Sequence, residues 1–259
     1  MSDPRDSFGD WFEPLGPAGG AIDVFAFPYS GSGVAMFAPW RQQLGSGVSL
    51  FAVKLPGREA KLNQPPRREL LPLAEELAVA IADAGRGARP TVLVGFSLGA
   101  LLAFEVARSL HRHSQRIDLL VAGAARAPQG PWPRGRLHRL NDDRFIRKLN
   151  ARYAAIPPAV IADPQVRALL LPMIRADIEM FETYRFQPEE PLPCEILTLG
   201  GTEDSRVRHK HLYPWRQLGL RFRHRSFPGG HYFEKSHRGA VLETLRRRLE
   251  RLSREANGS

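Results

Sequence analysis

The residues Gly95-Phe-Ser97-Leu-Gly99 read G-x-S-x-G, the pattern of a serine held on a turn too tight for side chains two positions to either side. The apolar run Thr91–Val94 precedes it and a helical pattern follows, so strand, turn and helix come in sequence. In that setting the Ser97 hydroxyl stands above the end of a strand. The amide of Leu98 then points to where the oxyanion of an acyl-transfer intermediate would form. A serine hydroxyl attacks effectively only when a histidine takes its proton, and the histidine needs a carboxylate to hold its tautomer. In this architecture the acid and then the base follow the serine along the chain. Two segments fit: Leu199-Gly-Gly-Thr-Glu-Asp204 and Ser226-Phe-Pro-Gly-Gly-His231. Each follows a strand-like run, so both reach the sheet edge where Ser97 stands. Asp204 is preferred to Glu203 because it sits where the loop has left the strand. The candidate catalytic residues are therefore Ser97, Asp204 and His231.

The other histidines compete poorly. His111, His113 and His138 precede the acid, His209 and His211 start a polar helix, His224 lies within a strand, and His237 begins the last helix. Solvated surface positions are expected for all of them. A second oxyanion donor should come from the loop after the first strand, Phe27-Pro-Tyr-Ser-Gly-Ser-Gly33. Its glycines allow close backbone approach and leave amides free to donate. Ser30 is the expected donor, with Tyr29 as the alternative. The loop has neither the lysine nor the spacing of a phosphate cradle.

These residues need a scaffold. Short apolar runs at Asp23–Phe27, Ser49–Val53, Thr91–Val94, Leu119–Gly123, Glu195–Leu199 and Arg221–Ser226 alternate with longer helical patterns. That alternation predicts a mostly parallel sheet flanked by helices, and the strand–G-x-S-x-G–helix turn set in such a sheet predicts the α/β-hydrolase fold. Helices are expected over Leu70–Ala84, after Ser97, and from Ala240 to Leu252. From 131 to 191 no strand pattern occurs, but helical patterns surround Asp142–Leu149 and Gln165–Tyr184, which predicts a helical lid inserted into the core. The core is then 21–130 and 192–253, with mobile tails at 1–20 and 254–259. Trp132, Phe145, Tyr153, Met173, Met180 and Phe181 either line an acyl channel under the lid or pack the lid on the core. Tyr29, Phe96, Met173 and Phe181 are the candidate substrate contacts.

Composition narrows the function classes. At 43% hydrophobic and 25% charged, 259 residues make one ordinary globular domain. No apolar run is long enough to span a bilayer, and 1–20 has no apolar core of a secretory signal. The single cysteine, Cys194, allows no internal disulfide and no thiolate metal cluster, so a reducing cytoplasm is the expected location. The excess of 37 basic over 27 acidic residues, net +10, favours acidic partners. Arginines are dense in Arg134–Arg152 and in the tail at Arg246, Arg247, Arg248, Arg251 and Arg254. Nucleic-acid motifs are absent, so no nucleic acid and no membrane is expected as partner.

Taken together, Phe27-Pro-Tyr-Ser-Gly31, Leu55-Pro-Gly-Arg-Glu59, Gly95-Phe-Ser-Leu-Gly-Ala-Leu-Leu-Ala-Phe-Glu105, Ile174-Arg-Ala-Asp177 with Tyr184, Gly200-Gly-Thr-Glu-Asp204 and Pro228-Gly-Gly-His231 resemble the type II thioesterases of polyketide synthases and nonribosomal peptide synthetases. The resemblance spans about 22 to 250. That family usually carries His and Met beside the serine, where this chain has Phe96 and Leu98; an altered pocket shape is expected. The resemblance implies hydrolysis of acyl groups from the phosphopantetheine arm of an acyl or peptidyl carrier protein, clearing stalled or aberrant chains, without a metal or cofactor. A small-molecule carboxylesterase, an acyltransferase on the same fold, and a non-catalytic carrier-binding scaffold remain as alternatives. A monomer is expected.

Overall fold

The computed structural model describes residues 4–16, 19–85, 89–130, 135–153, 156 and 161–257. A seven-stranded sheet runs β1-β3-β2-β4-β5-β6-β7, formed by β1 (Phe12–Pro14), β2 (Ile22–Phe27), β3 (Val48–Val53), β4 (Thr91–Phe96), β5 (Leu119–Gly123), β6 (Leu192–Gly201) and β7 (Gly219–Phe227). Only β1 is antiparallel, pairing Phe12 with Val53 and Pro14 with Phe51. Strands β2, β3, β4 and β5 are buried along their whole length, which is why their sequences are apolar in long runs rather than alternating, with Asp23, Ser49 and Thr91 as the polar exceptions.

Side chains nevertheless alternate between two cores. Phe25, Phe27 and Leu93 face α2 (Leu70–Asp83) and α3 (Leu98–Arg112), whereas Val24, Ala26, Val92 and Val94 face the last helix (Arg238–Asn257) through Val241, Leu245 and Leu249. Strand β7 closes the sheet as an exposed edge that carries Arg221, Arg223 and Arg225. Charges on an edge strand discourage pairing with another chain. No helix among the described residues is long and apolar enough to cross a membrane.

The expected mobile tails are in large part ordered elements. Helix α1 (Pro4–Trp11) leads into β1, and Phe8 stacks on Phe12 at 5.0 Å and meets Phe51 edge-on at 5.3 Å. Both rings pack with Phe25 and Phe51 in the core shared with α2 and α3, a two-ring anchor that an Asp-, Pro- and Gly-rich composition hides. At the other end the last helix continues through Asn257, past the expected stop at 253, and Arg248 there reaches the Glu195 carboxylate of β6 at 2.9 Å.

Between β5 and β6 the chain forms α4 (Asp142–Tyr153) and α5 (Pro164–Thr183), with their own apolar cluster built on Leu137, Phe145, Leu149, Ile156 and Leu171. Asp163 caps α5 by accepting from Gln165 N (2.8 Å) and Val166 N (3.2 Å). His138 is not a solvated surface residue: its Nδ1 lies 2.6 Å from the buried Glu182 carboxylate of α5. Met180 turns into the main core, so it packs the lid down and lines no channel, and Phe145 is enclosed in the lid cluster. Trp132 and Arg134 lie outside the described residues.

Candidate active site

Ser97 sits between β4 and α3 with φ 54° and ψ −115°, a backbone conformation that L-residues rarely hold. Its amide donates to Gly123 O (2.8 Å) and its carbonyl accepts from Ala100 N (3.1 Å). The flanking glycines have a steric reason to be there. A Cβ on Gly95 would run into the backbone of Gly99, and one on Gly99 into the carbonyls of Phe27 and Pro28.

The loops after β6 and β7 interlock to deliver the other two residues. Thr202 N donates to Phe227 O (2.8 Å) and Glu203 N to Gly229 O (2.9 Å), and Gly201 leaves no room for a Cβ against Gly229 and Gly230. This crossing brings His231 Nε2 to 3.1 Å from Ser97 Oγ and His231 Nδ1 to 2.8 Å from Asp204 Oδ2. The other Asp204 oxygen accepts from Arg206 N (2.8 Å) and Val207 N (3.0 Å). Burial would raise the Asp204 pKa, but the hydrogen bond from His231, the charge of that ring and the two amides outweigh it, and the pKa is lowered. An ionised Asp204 can only accept, so Nδ1 carries the ring proton and Nε2 is left to accept from the serine. Glu203 is exposed and turned away.

Opposite Ser97, the segment Tyr29–Ser32 makes a tight turn closed by Ser32 N donating to Tyr29 O (3.0 Å), with Gly31 at φ +77°. Ser30, Leu98 and Ser97 line one cavity of about 720 Å³. The amides of Ser30 and Leu98 have no partner among the described residues. The Ser30 hydroxyl is buried and equally unpartnered. The Tyr29 hydroxyl donates to His231 O (3.2 Å), and burial, reinforced by Glu234, Tyr232 and Asp204, pushes its pKa well up, so it remains a donor.

Tyr29, Met173 and Phe181 line this cavity together with Leu149, Ile156 and Ile174. Phe96 does not. It is fully buried beneath the site, packed on Tyr29 (5.4 Å), Trp40 (5.9 Å) and Phe233 (6.2 Å), because β4 points it away from the serine into the core shared with the last helix. It therefore supports the Tyr29 ring from below and forms no part of the cavity wall.

A second, smaller chamber of about 130 Å³ also has Ser97 and His231 on its wall, and Arg126, Arg152 and Arg206 line it. None of these three arginines forms an ion pair among the described residues. Arg152 ends the arginine-dense stretch noted in the sequence, whereas Arg126 and Arg206 have only their places after β5 and β6 as a sequence signal. Tyr153 of α4 borders both cavities, with its ring 5.3 Å from that of His231.

The chain matches the thioesterase domain over residues 23–249. It is 31% identical over 231 residues to the gramicidin S biosynthesis protein GrsT of Aneurinibacillus migulanus, covering 88% of this chain and 89% of that protein. Among solved structures it superposes on the type II thioesterase BorB from the borrelidin biosynthetic cluster with a TM-score of 0.80 and 28% identity, covering 95% and 96% of the two chains. The thioesterase RedJ of the Streptomyces coelicolor prodiginine pathway gives 0.81 and 30%, covering 90% and 88%. With that similarity running through the sheet, the lid and the loops around Ser97, the chain belongs to the thioesterase family: it is a thioester hydrolase of the serine-hydrolase type on the α/β-hydrolase fold, related over nearly its whole length to type II thioesterases.

Proposed function

We propose that this chain removes acyl groups from the phosphopantetheine arm of acyl or peptidyl carrier proteins in the cytoplasm, as an editing enzyme of polyketide or nonribosomal peptide assembly. The observation that carries this reading is the unbroken relay from Asp204 through His231 to Ser97 on the wall of a large, mostly apolar cavity. The carrier substrate is supported by relatives named for gramicidin S, borrelidin and prodiginine biosynthesis. The unpaired arginines around the small chamber would suit an acidic carrier protein bearing a phosphate-linked arm.

In this mechanism His231 Nε2 takes the Ser97 proton and Oγ attacks the thioester carbonyl carbon. The amides of Leu98 and Ser30 donate to the resulting oxyanion. The tetrahedral intermediate collapses with cleavage of the C–S bond, and the proton on His231 passes to the departing pantetheine thiolate. A water molecule, deprotonated by His231, then attacks the acyl-serine, and the proton returns to Ser97 Oγ as the free acid leaves. Asp204 holds the ring tautomer and stabilises the imidazolium in both halves. The acyl chain lies in the 720 Å³ cavity, whose size is that of a small-molecule site.

Mass spectrometry of acylated carrier proteins, incubated with this enzyme or its Ser97→Ala variant, tests the reading. Wild type should strip the acyl mass through a transient adduct on Ser97, and the variant should lose activity many thousandfold, on the order of 10³ or more. Equal deacylation by Ser97→Ala would refute the covalent route. Rapid hydrolysis of a p-nitrophenyl ester with untouched acyl-carrier would favour a small-molecule esterase instead.

A further inference from the structure

Two of the motifs behind the family resemblance, Leu55-Pro-Gly-Arg-Glu59 and Ile174-Arg-Ala-Asp177, take no part in the relay. In the folded chain they meet behind the turn that faces Ser97. Asp177, in the C-terminal half of α5, is fully buried, and Arg58 nearly so. They form a fork, with Arg58 Nη2 on Asp177 Oδ1 at 2.6 Å and Nη1 on Oδ2 at 2.9 Å. Each then uses a further contact on the turn: Arg58 Nη1 donates to Ser32 O (2.8 Å), and Asp177 Oδ2 accepts from Gly31 N (2.7 Å). On the far side Glu59, itself at φ +47°, accepts from Val34 N (2.7 Å) and Ala35 N (3.0 Å). A Cβ on Gly33 would collide with that carboxylate. On the near side the carbonyls of Phe27 and Pro28 rest against Gly99. Ser30, with its free amide, is the residue between these fixed points.

We propose that Asp177 and Arg58 are positioning residues that set the Ser30 amide, so that a side chain from the lid completes the oxyanion hole. This rests on the reading of Ser30 and Leu98 as the oxyanion donors. A buried ion pair adds little stability over an apolar pair of similar volume, because desolvation offsets the attraction. What this pair supplies is direction: two of its hydrogen bonds end on consecutive residues of the one turn opposite the nucleophile. Arg58 also neutralises Asp177, so the carboxylate can grip Gly31 without setting an uncompensated negative charge beside a developing oxyanion.

The test uses the full-length enzyme, an acyl N-acetylcysteamine thioester, and an acyl trifluoromethyl ketone whose adduct with Ser97 mimics the tetrahedral oxyanion. Asp177→Asn keeps the shape and removes the charge. Its kcat should fall roughly 10- to 100-fold, the scale of a displaced catalytic group, with KM within about twofold. The ketone's inhibition constant should rise by the same factor as kcat/KM falls, since both report transition-state binding. The double variant Asp177→Asn with Arg58→Gln leaves no unpaired buried charge, so its melting temperature should recover towards wild type while its kcat stays low. Arg175→Ala is the control on the same helix. That guanidinium holds the carbonyls of His138 and Leu140 and the Asp142 carboxylate without touching the turn, so wild-type kcat is expected. A folded Asp177→Asn enzyme with wild-type kcat overturns the proposal, as does a kcat loss without weaker ketone binding, or an equal loss in Arg175→Ala. If the ketone fails to inhibit wild type, the oxyanion reading itself falls and the clamp with it.

Discussion

The elbow that carries Ser97 and the turn that faces it, Tyr29–Ser32, lie on opposite sides of one cavity and touch through Gly99, yet they are held in different ways. At the elbow the constraints are steric: Gly95 is small because the chain folds back on itself within five residues, and Gly99 because the carbonyls of Phe27 and Pro28 lie against it. The facing turn is held by charged side chains 24 to 146 residues away, Glu59, Arg58 and Asp177. Steric constraints leave glycines at set spacings, which can be read along a chain. Charge constraints leave ordinary arginines and carboxylates whose partners cannot be told from their neighbours. The elbow is thus robust to changes elsewhere, whereas the turn depends on how the lid is seated.

The difference can be sharpened by substitution. The largest effect should come from the acid on the locally written side. Asp204→Asn should cost about 10⁴ in rate, because an amide can favour the wrong imidazole tautomer, while Glu203→Gln stays near wild type. Steady-state hydrolysis of one thioester by both variants decides it, and reversed phenotypes would mean that Glu203 is the acid.

The contact point of the two regions comes next. Gly99→Ala should destabilise the fold by about 1–3 kcal/mol, since its Cβ meets backbone carbonyls of the facing strand that cannot swing aside. Gly239→Ala, at a helical site with nothing within 4 Å, should be neutral or stabilise by up to about 1 kcal/mol. Denaturant unfolding of the pair would break the comparison if Gly99→Ala proved as stable as wild type.

The smallest effect concerns the two chambers. Replacing Arg152 and Arg206 with Gln should lower kcat/KM for an acyl-carrier protein several-fold and flatten its dependence on salt, because steering fades as the Debye length shrinks from about 10 Å at 0.1 M to about 3 Å at 1 M. A pantetheine thioester, which enters without a carrier protein, should change much less. Parallel salt curves for the two substrates would reduce the basic rim to surface charge. Arg246, Arg247 and Arg248 of the last helix are poorer candidates for this role. Arg246 and Arg247 pair with Glu243, and Arg248 pairs with Glu195, so their charge is answered within the chain.

Much of the scaffold was legible because its causes are short-ranged. Apolar runs marked six strands, the β5 limits Leu119–Gly123 among them, and glycine spacing marked the elbow. The seventh strand, β1, escaped because only three residues pair and its two anchoring rings sit in a polar stretch. Its place beside Ser97 in the chain makes Phe96 a candidate pocket residue. Alternation along β4 sends it to the opposite face, where it packs on Trp40 and Phe233.

By itself, the chain's order of residues determined the α/β class, the serine at a strained strand-to-helix turn, and an acid and a histidine on later loops of the same sheet edge. Each follows from periodicity, glycine sterics and chain order, which act over a few residues. Only the tertiary structure decided that Phe96 packs beneath the site on Trp40, that three arginines with no ion pair among the described residues border Ser97, and that Asp177 of the lid grips the turn carrying Ser30. Those outcomes depend on where separate loops and the lid come to rest against one another, and at Asp177 burial in a low-dielectric interior strengthens the contact further.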